Sequence, residues 1–271
     1  MTLTTLQLSK PYGTVSLRDA GIGVPVVLIH GVGLQSAAWS PQIEALSKTH
    51  RVIAVDMPGH GGSSHLPKDA QLPDFVEWLQ AVFDALGLET VSLAGHSMGA
   101  LIAAGFAVTY PNALSRVALL NGVYRRSHQA RAAVVARADQ IRTTGFDLET
   151  PLARWFADAP CDQQARIDVS DWLGSVDLDG YATAYGAFAR GDATYADRLG
   201  DIQIPFLAIT GEGDLNSTPA MSQAMAQAAK GRAIVMEGHR HMVNLTAPDA
   251  VNAALNGWLE MDPEEAPNDA D

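Results

Sequence analysis

Residues 90–100 read Thr90-Val91-Ser92-Leu93-Ala94-Gly95-His96-Ser97-Met98-Gly99-Ala100. The run up to Ala94 is short and has no polar face, as in a strand buried on both sides of a parallel sheet. From Ala100 to Tyr110 the chain has the length and composition of an apolar helix. Between them stands a G-x-S-x-G turn. A reversal this sharp from strand to helix holds the serine backbone strained and crowds its neighbours, so small residues are needed on both sides. The serine hydroxyl then stands exposed at a helix N-terminus. Ser97 is therefore the candidate nucleophile. An ordinary glycine-flanked turn would have the same five letters. The strand before it and the helix after it separate the two readings.

The same texture recurs to either side. Val24-Pro25-Val26-Val27-Leu28-Ile29 ends at His30-Gly31, and Arg51-Val52-Ile53-Ala54-Val55 ends at Asp56. Val117–Leu120, Ile204–Ile209 and Ala233–Met236 are further apolar runs of strand length. All read as buried parallel strands. Residues 3–19 alternate loosely, as a half-exposed antiparallel hairpin would. Helical patterns lie between the runs. Leu72, Phe75, Leu79, Val82, Phe83 and Leu86 share one face before a stop at Gly87. Thr218-Pro219 has the hydroxyl cap and first-turn proline of a helix start. Alternating strands and helices predict an α/β fold with a doubly wound, mostly parallel sheet. The stretch 124–199 breaks the rhythm, with helical segments at Gln129–Ile141 and Tyr181–Arg190 and no convincing strand. It reads as a helical lid inserted after the fourth buried strand. The expected organisation is a core over 1–123 and 200–260, the lid, and an acidic tail at 261–271.

A serine hydroxyl needs a base, and the base needs an orienting carboxylate. His241 follows the last strand and precedes the helix Pro248–Leu259, which puts it at the carboxyl edge of the sheet beside Ser97. His239 is its rival. Asp214 stands just past the fifth buried strand, and Ser…Asp…His is the chain order expected of such a sheet. Glu212 is a weaker alternative, and Asn121, after the fourth strand, cannot supply a charge. An oxyanion hole needs two backbone donors. Met98 N–H follows the nucleophile, and Val32 N–H lies in the loop after the first buried strand. His30 and His96 read as structural, holding the loops they stand in.

Composition narrows the partners. The chain of 271 residues is 47% apolar and 18% charged, enough for one sizeable core. A net charge of −12 argues against nucleic acid or an anionic membrane as partner. One cysteine, Cys161, allows no internal disulfide. No secretory leader pattern and no apolar run near the roughly 20 residues of a membrane span is visible. A soluble cytoplasmic location is the expectation. No dinucleotide fingerprint, phosphate loop or metal-ligand cluster appears, so no cofactor and no metal are expected. The expected partners are a small-molecule substrate and water.

Five blocks, His30-Gly31-Val32-Gly33, Asp56-Met57-Pro58-Gly59-His60-Gly61-Gly62-Ser63, Gly95–Gly99, Gly211-Glu212-Gly213-Asp214, and His241 with Pro248 beyond it, together resemble the α/β-hydrolase family. They stand in family order from Val24 to Leu259. The resemblance implies a hydrolase using Ser97, His241 and Asp214. Members with an aspartate nucleophile, the haloalkane dehalogenases and epoxide hydrolases, do not fit Ser97. Hydrolases of carbon–carbon bonds usually have asparagine before the nucleophile, where this chain has His96. The stretch Asp214–Pro219 looks like that of enol-lactonase-like members, which points to a small ester or lactone. A small amide, a carbon–carbon substrate and a non-catalytic ligand binder on the same fold are the alternatives. Arg125, Arg126, Arg154 and Arg190 are candidates for a substrate carboxylate, with Arg190 taken first.

Overall fold

The computed structural model describes residues 2–262, so the expected acidic tail lies outside the described residues from position 263 on. Eight strands form one sheet in the order β1-β2-β4-β3-β5-β6-β7-β8. They are β1 (Thr2–Gln7), β2 (Thr14–Ala20), β3 (Pro25–Ile29), β4 (Arg51–Val55), β5 (Val91–His96), β6 (Leu114–Leu120), β7 (Phe206–Gly211) and β8 (Arg232–Met236). β1 and β2 are the antiparallel hairpin expected from their alternation, and β3 to β8 run parallel.

Alternation along each strand sends side chains to two separate cores. Val27 and Ile29 of β3 and Ile53 and Val55 of β4 face one, while Val26, Leu28, Val52 and Ala54 face the other. The helices are α1 (Ser40–Leu46), α2 (Leu72–Leu86), α3 (Met98–Thr109), α4 (His128–Thr144), α5 (Glu149–Trp155), α6 (Gln163–Ser175), α7 (Leu178–Gly191), α8 (Pro219–Ala228), α9 (Val243–Thr246) and α10 (Pro248–Leu259). Residues of α2, α3 and α8 cover the first core, and Ile43, Leu46, Val251, Leu255 and Trp258 of α1 and α10 cover the second. Burying each large apolar side chain contributes about 1.5–3 kcal/mol, so both faces must be covered for the parallel strands to be stable.

Local chemistry sets the helix ends. Gly87 takes a left-handed conformation, φ 62°, and closes α2. The Thr218 hydroxyl accepts the Met221 N–H at the start of α8, with Pro219 in the first turn. Four helices, α4 to α7, intervene between β6 and β7.

One strand departs from expectation. β8 is half-exposed, with Arg232 exposed and Ala233, Ile234 and Val235 only partly buried. It is the last strand of the order, so one of its edges has no neighbouring strand among the described residues. Edge position depends on the assembled sheet and leaves no mark on a four-residue apolar run.

Candidate active site

The turn at Ser97 is as tight as its sequence implies. Ser97 has φ 55° and ψ −110°, a conformation that costs a non-glycine residue on the order of 1–3 kcal/mol. The residues two positions to either side, Gly95 and Gly99, are glycines because backbone fills the space. A Cβ on Gly95 would lie 2.0 Å from the Gly99 carbonyl oxygen, and one on Gly99 would lie 2.2 Å from that of Ile29.

The carboxyl ends of three strands bring the candidate residues together. Ser97 follows β5, Asp214 follows β7 and His241 follows β8. His241 Nδ1 lies 2.7 Å from Asp214 Oδ2, and His241 Nε2 lies 3.1 Å from Ser97 Oγ. A carboxylate only accepts hydrogen bonds, so Nδ1 carries the imidazole proton and Nε2 is left to accept from the serine hydroxyl. All three residues are buried.

Asp214 is firmly held as an anion. Burial alone would raise its pKa. The facing His241, the hydrogen bonds from His241 and Asn121, and that from the Ser217 N–H outweigh burial and lower it. Asn121 Nδ2 donates to Oδ2 at 2.8 Å, and the N–H groups of Asn216 and Ser217 donate to Oδ1 at 2.8 and 3.1 Å. Asn121 is thus a donor to the carboxylate. Its lack of charge is visible in the sequence, and its hold on the charged residue is visible only in the fold.

Neither Val32 N–H nor Met98 N–H has an acceptor among the described residues. Both flank Ser97, since a Cβ on Gly31 would touch the Ser97 Cβ at 3.0 Å. The loop that presents Val32 is fixed from behind. His60 Nε2 accepts the Gly33 N–H at 2.9 Å, and its Nδ1–H donates to the Pro58 carbonyl. His30 Nε2 accepts the Met57 N–H, and its Nδ1–H donates to the Gly31 carbonyl. Asp56 Oδ1 accepts the Ser36 N–H. Burial lowers the pKa of His60 to about 3, helped by His30, and lowers that of His30 too. Both imidazoles are therefore neutral, as their acceptor roles require. The block Asp56–Ser63 marks this region in the sequence, but its contact with the Val32 loop does not show there.

The other histidines take separate posts. His96 Nε2–H donates to the His241 carbonyl at 2.8 Å, and burial, with the nearby His241, lowers its pKa to about 3. It fixes the His241 loop from one side. Trp155 fixes it from the other: its carbonyl accepts the His241 N–H at 3.1 Å, and its ring lies 5.6 Å from the imidazole. His239, the rival base, bonds Thr246 Oγ1 through Nδ1. Glu212 is exposed and accepts from the Gly238 N–H.

A cavity of about 980 Å³ opens above Ser97 and His241, lined by residues of α4, α5 and α7. Ala130, Val134, Arg137, Ile141 and Thr144 face it from one side of α4, and Tyr181, Tyr185 and Phe188 from one side of α7. Of the arginines expected near a substrate, Arg126 and Arg154 line the cavity. Arg190 does not, which corrects the first choice. Its guanidinium pairs with Asp139 at 2.8 Å, beside Lys68 and Arg142 outside the cavity. The cause is helical phase. Arg190 is nine residues from Tyr181, about half a turn around the helix at 100° per residue. Arg125 is exposed and pairs with Asp197. Arg137, which lines the cavity, was missed because the inward face of α4 is too weakly apolar to be told from the outward one.

Comparison with known proteins agrees with this architecture. A family model described as alpha/beta hydrolase fold matches residues 24–248. A curated relative from Acinetobacter baylyi, (E)-2-((N-methylformamido)methylene)succinate hydrolase, is 52% identical over 260 residues, covering 96% of this chain and 98% of the relative. Among solved structures, a thermophilic esterase from Thermogutta terrifontis with malate bound superposes with a TM-score of 0.85 at 26% identity, covering 96% of this chain and 98% of the esterase. The enol-lactonase from Burkholderia xenovorans superposes with a TM-score of 0.82 at 27% identity, over 93% of this chain and all of the lactonase. The chain is a hydrolase belonging to the α/β-hydrolase family.

Proposed function

We propose that this hydrolase cleaves a small acyl–nitrogen bond in a carboxylate-bearing substrate, with Ser97 as nucleophile, His241 as general base and Asp214 as its orienting anion. The observation that carries the reading is the continuous chain of hydrogen bonds Ser97–His241–Asp214 at the floor of a substrate-sized cavity. In the proposed reaction His241 Nε2 takes the Ser97 proton as Oγ attacks the acyl carbon. The N–H groups of Val32 and Met98 receive the developing oxyanion. His241 then returns the proton to the leaving nitrogen. Water, deprotonated by the same imidazole, releases the acyl group from Ser97. Asp214 stabilises the imidazolium in both halves of the cycle. The helices α4 to α7 act as the lid that selects the substrate.

The bond class rests on the relative at 52% identity, whose name describes an N-formyl enamine of a dicarboxylate. In such a compound the nitrogen is conjugated through a carbon–carbon double bond to a carboxylate. The departing nitrogen can spread its charge over that system, so cleavage needs less help than a simple amide would. The ester or lactone reading keeps support from the enol-lactonase likeness. An enol leaving group is stabilised by the same kind of delocalisation, so one triad suits both.

The test is direct comparison of kcat/KM on two compounds: an N-formyl-N-methyl enamine of succinate, followed by formate release, and an enol-lactone of similar size carrying a carboxylate. The enamine is expected to turn over at least tenfold more efficiently. A preference of that size for the lactone would return the reading to ester chemistry.

A further inference from the structure

The chain carries a net charge of −12, yet the cavity above Ser97 is lined by three arginines, Arg126, Arg137 and Arg154, against one acidic residue, Asp147. Such a local reversal of sign marks the cavity for anions. The three arginines are not equivalent. Arg126 is buried, lies 3.4 Å from Asp192, stacks over the Phe188 ring at 4.4 Å and donates to the Phe188 carbonyl. Asp192 also holds Arg131 and the Arg126 N–H. Arg126 is therefore engaged in fixing the loop after β6 to the end of α7.

Arg137 and Arg154 differ. Neither guanidinium has an ion pair or a hydrogen bond with another described residue. Asp147, near Arg137, is exposed and turned onto the Thr150 N–H. Both line the one cavity, Arg137 from α4 and Arg154 from α5. Arg154 also sits one residue before Trp155, whose carbonyl and ring contact His241. Arg154 thus belongs to the helix that ends against His241, and Arg137 to the wall formed by α4.

We propose that Arg137 and Arg154 are a two-point anion site that receives the two carboxylates of a small dicarboxylate, while Arg126 is retained for structure. A guanidinium binds a carboxylate through paired N–H donors, and two of them on separate helices fix both position and orientation of a flexible diacid. The inference rests on the carboxylate-bearing substrate of the proposed function and names the side chains that choose it. It also explains why an acidic protein would admit a dianion.

The test uses succinate as probe, so that binding is read without turnover. Calorimetric titration compares the parent with Arg137→Met, Arg154→Met and Arg190→Met, with thermal melting to verify folding of each. Methionine keeps the apolar stem and removes the charge. Hydrogen bonds to charged groups set the expected loss at about 10- to 150-fold in affinity for each of the first two variants. Arg190→Met is expected to bind as the parent does, and uncharged dimethyl succinate not to bind. Absence of succinate binding to the parent, parental affinity in Arg137→Met and Arg154→Met, or an equal loss in Arg190→Met would overturn the proposal. Turnover separates it from the reading of the bond. A parent that binds succinate through these arginines but leaves the formyl enamine intact refutes the bond and keeps the anion site. A parent that cleaves the enamine while both variants retain succinate refutes the anion site alone.

Discussion

Replacing Asp214 by asparagine tests the proposed triad at its most constrained point. Both carboxylate oxygens are occupied: Oδ1 accepts from the N–H groups of Asn216 and Ser217, and Oδ2 accepts from His241 Nδ1–H and Asn121 Nδ2. An amide has one acceptor end and one donor end. With its oxygen toward the two backbone donors, its NH₂ meets the Asn121 NH₂ and the imidazole. With the opposite orientation it faces two fixed backbone N–H groups and leaves both without an acceptor. The first arrangement strands one donor, and Asn121 Nδ2 has fallback acceptors at 3.3 Å in the Arg240 carbonyl and at 3.4 Å in Thr210 Oγ1. It is therefore the favoured one. His241 Nδ1 must then become an acceptor, the proton moves to Nε2, and the imidazole presents a donor to Ser97 instead of a base. An unpaired buried donor costs about 1–3 kcal/mol, so the fold survives with a melting point lowered by roughly 2–4 °C for each kcal/mol. Catalysis is expected to fall about 10⁴-fold in kcat, about 5 kcal/mol, with little change in KM. Steady-state kinetics on the preferred substrate, paired with thermal melting, reads both quantities. Activity within tenfold of the parent in a folded Asp214→Asn protein would refute the assigned tautomer and with it the role of Asp214.

Three further outcomes follow from the same geometry. Gly99→Ala places a methyl group 2.2 Å from the Ile29 carbonyl oxygen, against backbone that cannot turn aside, and is expected to lower stability by about 3 kcal/mol in denaturant titration. His60 and His96 have folded pKa values of about 3, below the ordinary 6.5. The unfolded chain therefore binds their protons first, so their contribution to stability is complete above pH 6.5 and is lost as pH falls toward 3. By pH 4 the loss is about 3 kcal/mol for each buried imidazole, and denaturant titrations at pH 7 and pH 4 should differ by more in the parent than in His60→Gln. Replacing His60 by leucine leaves the buried Gly33 N–H without an acceptor. It should lower kcat with little change in KM, since the loop proposed to present the Val32 N–H to an oxyanion is loosened while the cavity is untouched, and a pure KM effect would count against the role proposed for this loop.

The residues that meet at the candidate site can be read from sequence because each stands past an apolar run of strand length. Ser97, Asp214 and His241 all follow runs apolar on both faces, and in a parallel sheet such positions share one edge. Glu212 and His239 remain rivals in the sequence, and geometry separates them: Asp214 and His241 pair with each other, while Glu212 accepts from Gly238 and His239 bonds Thr246. The supporting contacts are not legible in this way. That Asn121 donates to Asp214, that His60 accepts from Gly33, and that Trp155 receives the His241 N–H are meetings of segments far apart in the chain. The cavity walls are the hardest part. On α7 the inward face holds Tyr181, Tyr185 and Phe188 and the outward face holds Arg190, but a helix with one face to a cavity and another to solvent has no period that says which is which. On α4 the inward residues include Ala130, Arg137 and Thr144, which would be unremarkable on a solvated surface. The half-exposure of β8 follows from its place at the end of the sheet, which no single strand encodes.

In the proposed reaction Ser97 carries the acyl group as a covalent intermediate. The measurement is peptide mass spectrometry of the protein after inactivation with a serine-directed fluorophosphonate, in parallel with the Ser97→Ala variant. One adduct per chain is expected, on the peptide containing Ser97, appearing at the rate at which activity is lost and slowed by the preferred substrate. The Ser97→Ala variant is expected to take no label and to lose about a thousandfold or more in kcat while melting close to the parent. Complete inactivation with the adduct on another residue, or a Ser97→Ala protein within tenfold of parental activity, would contradict it.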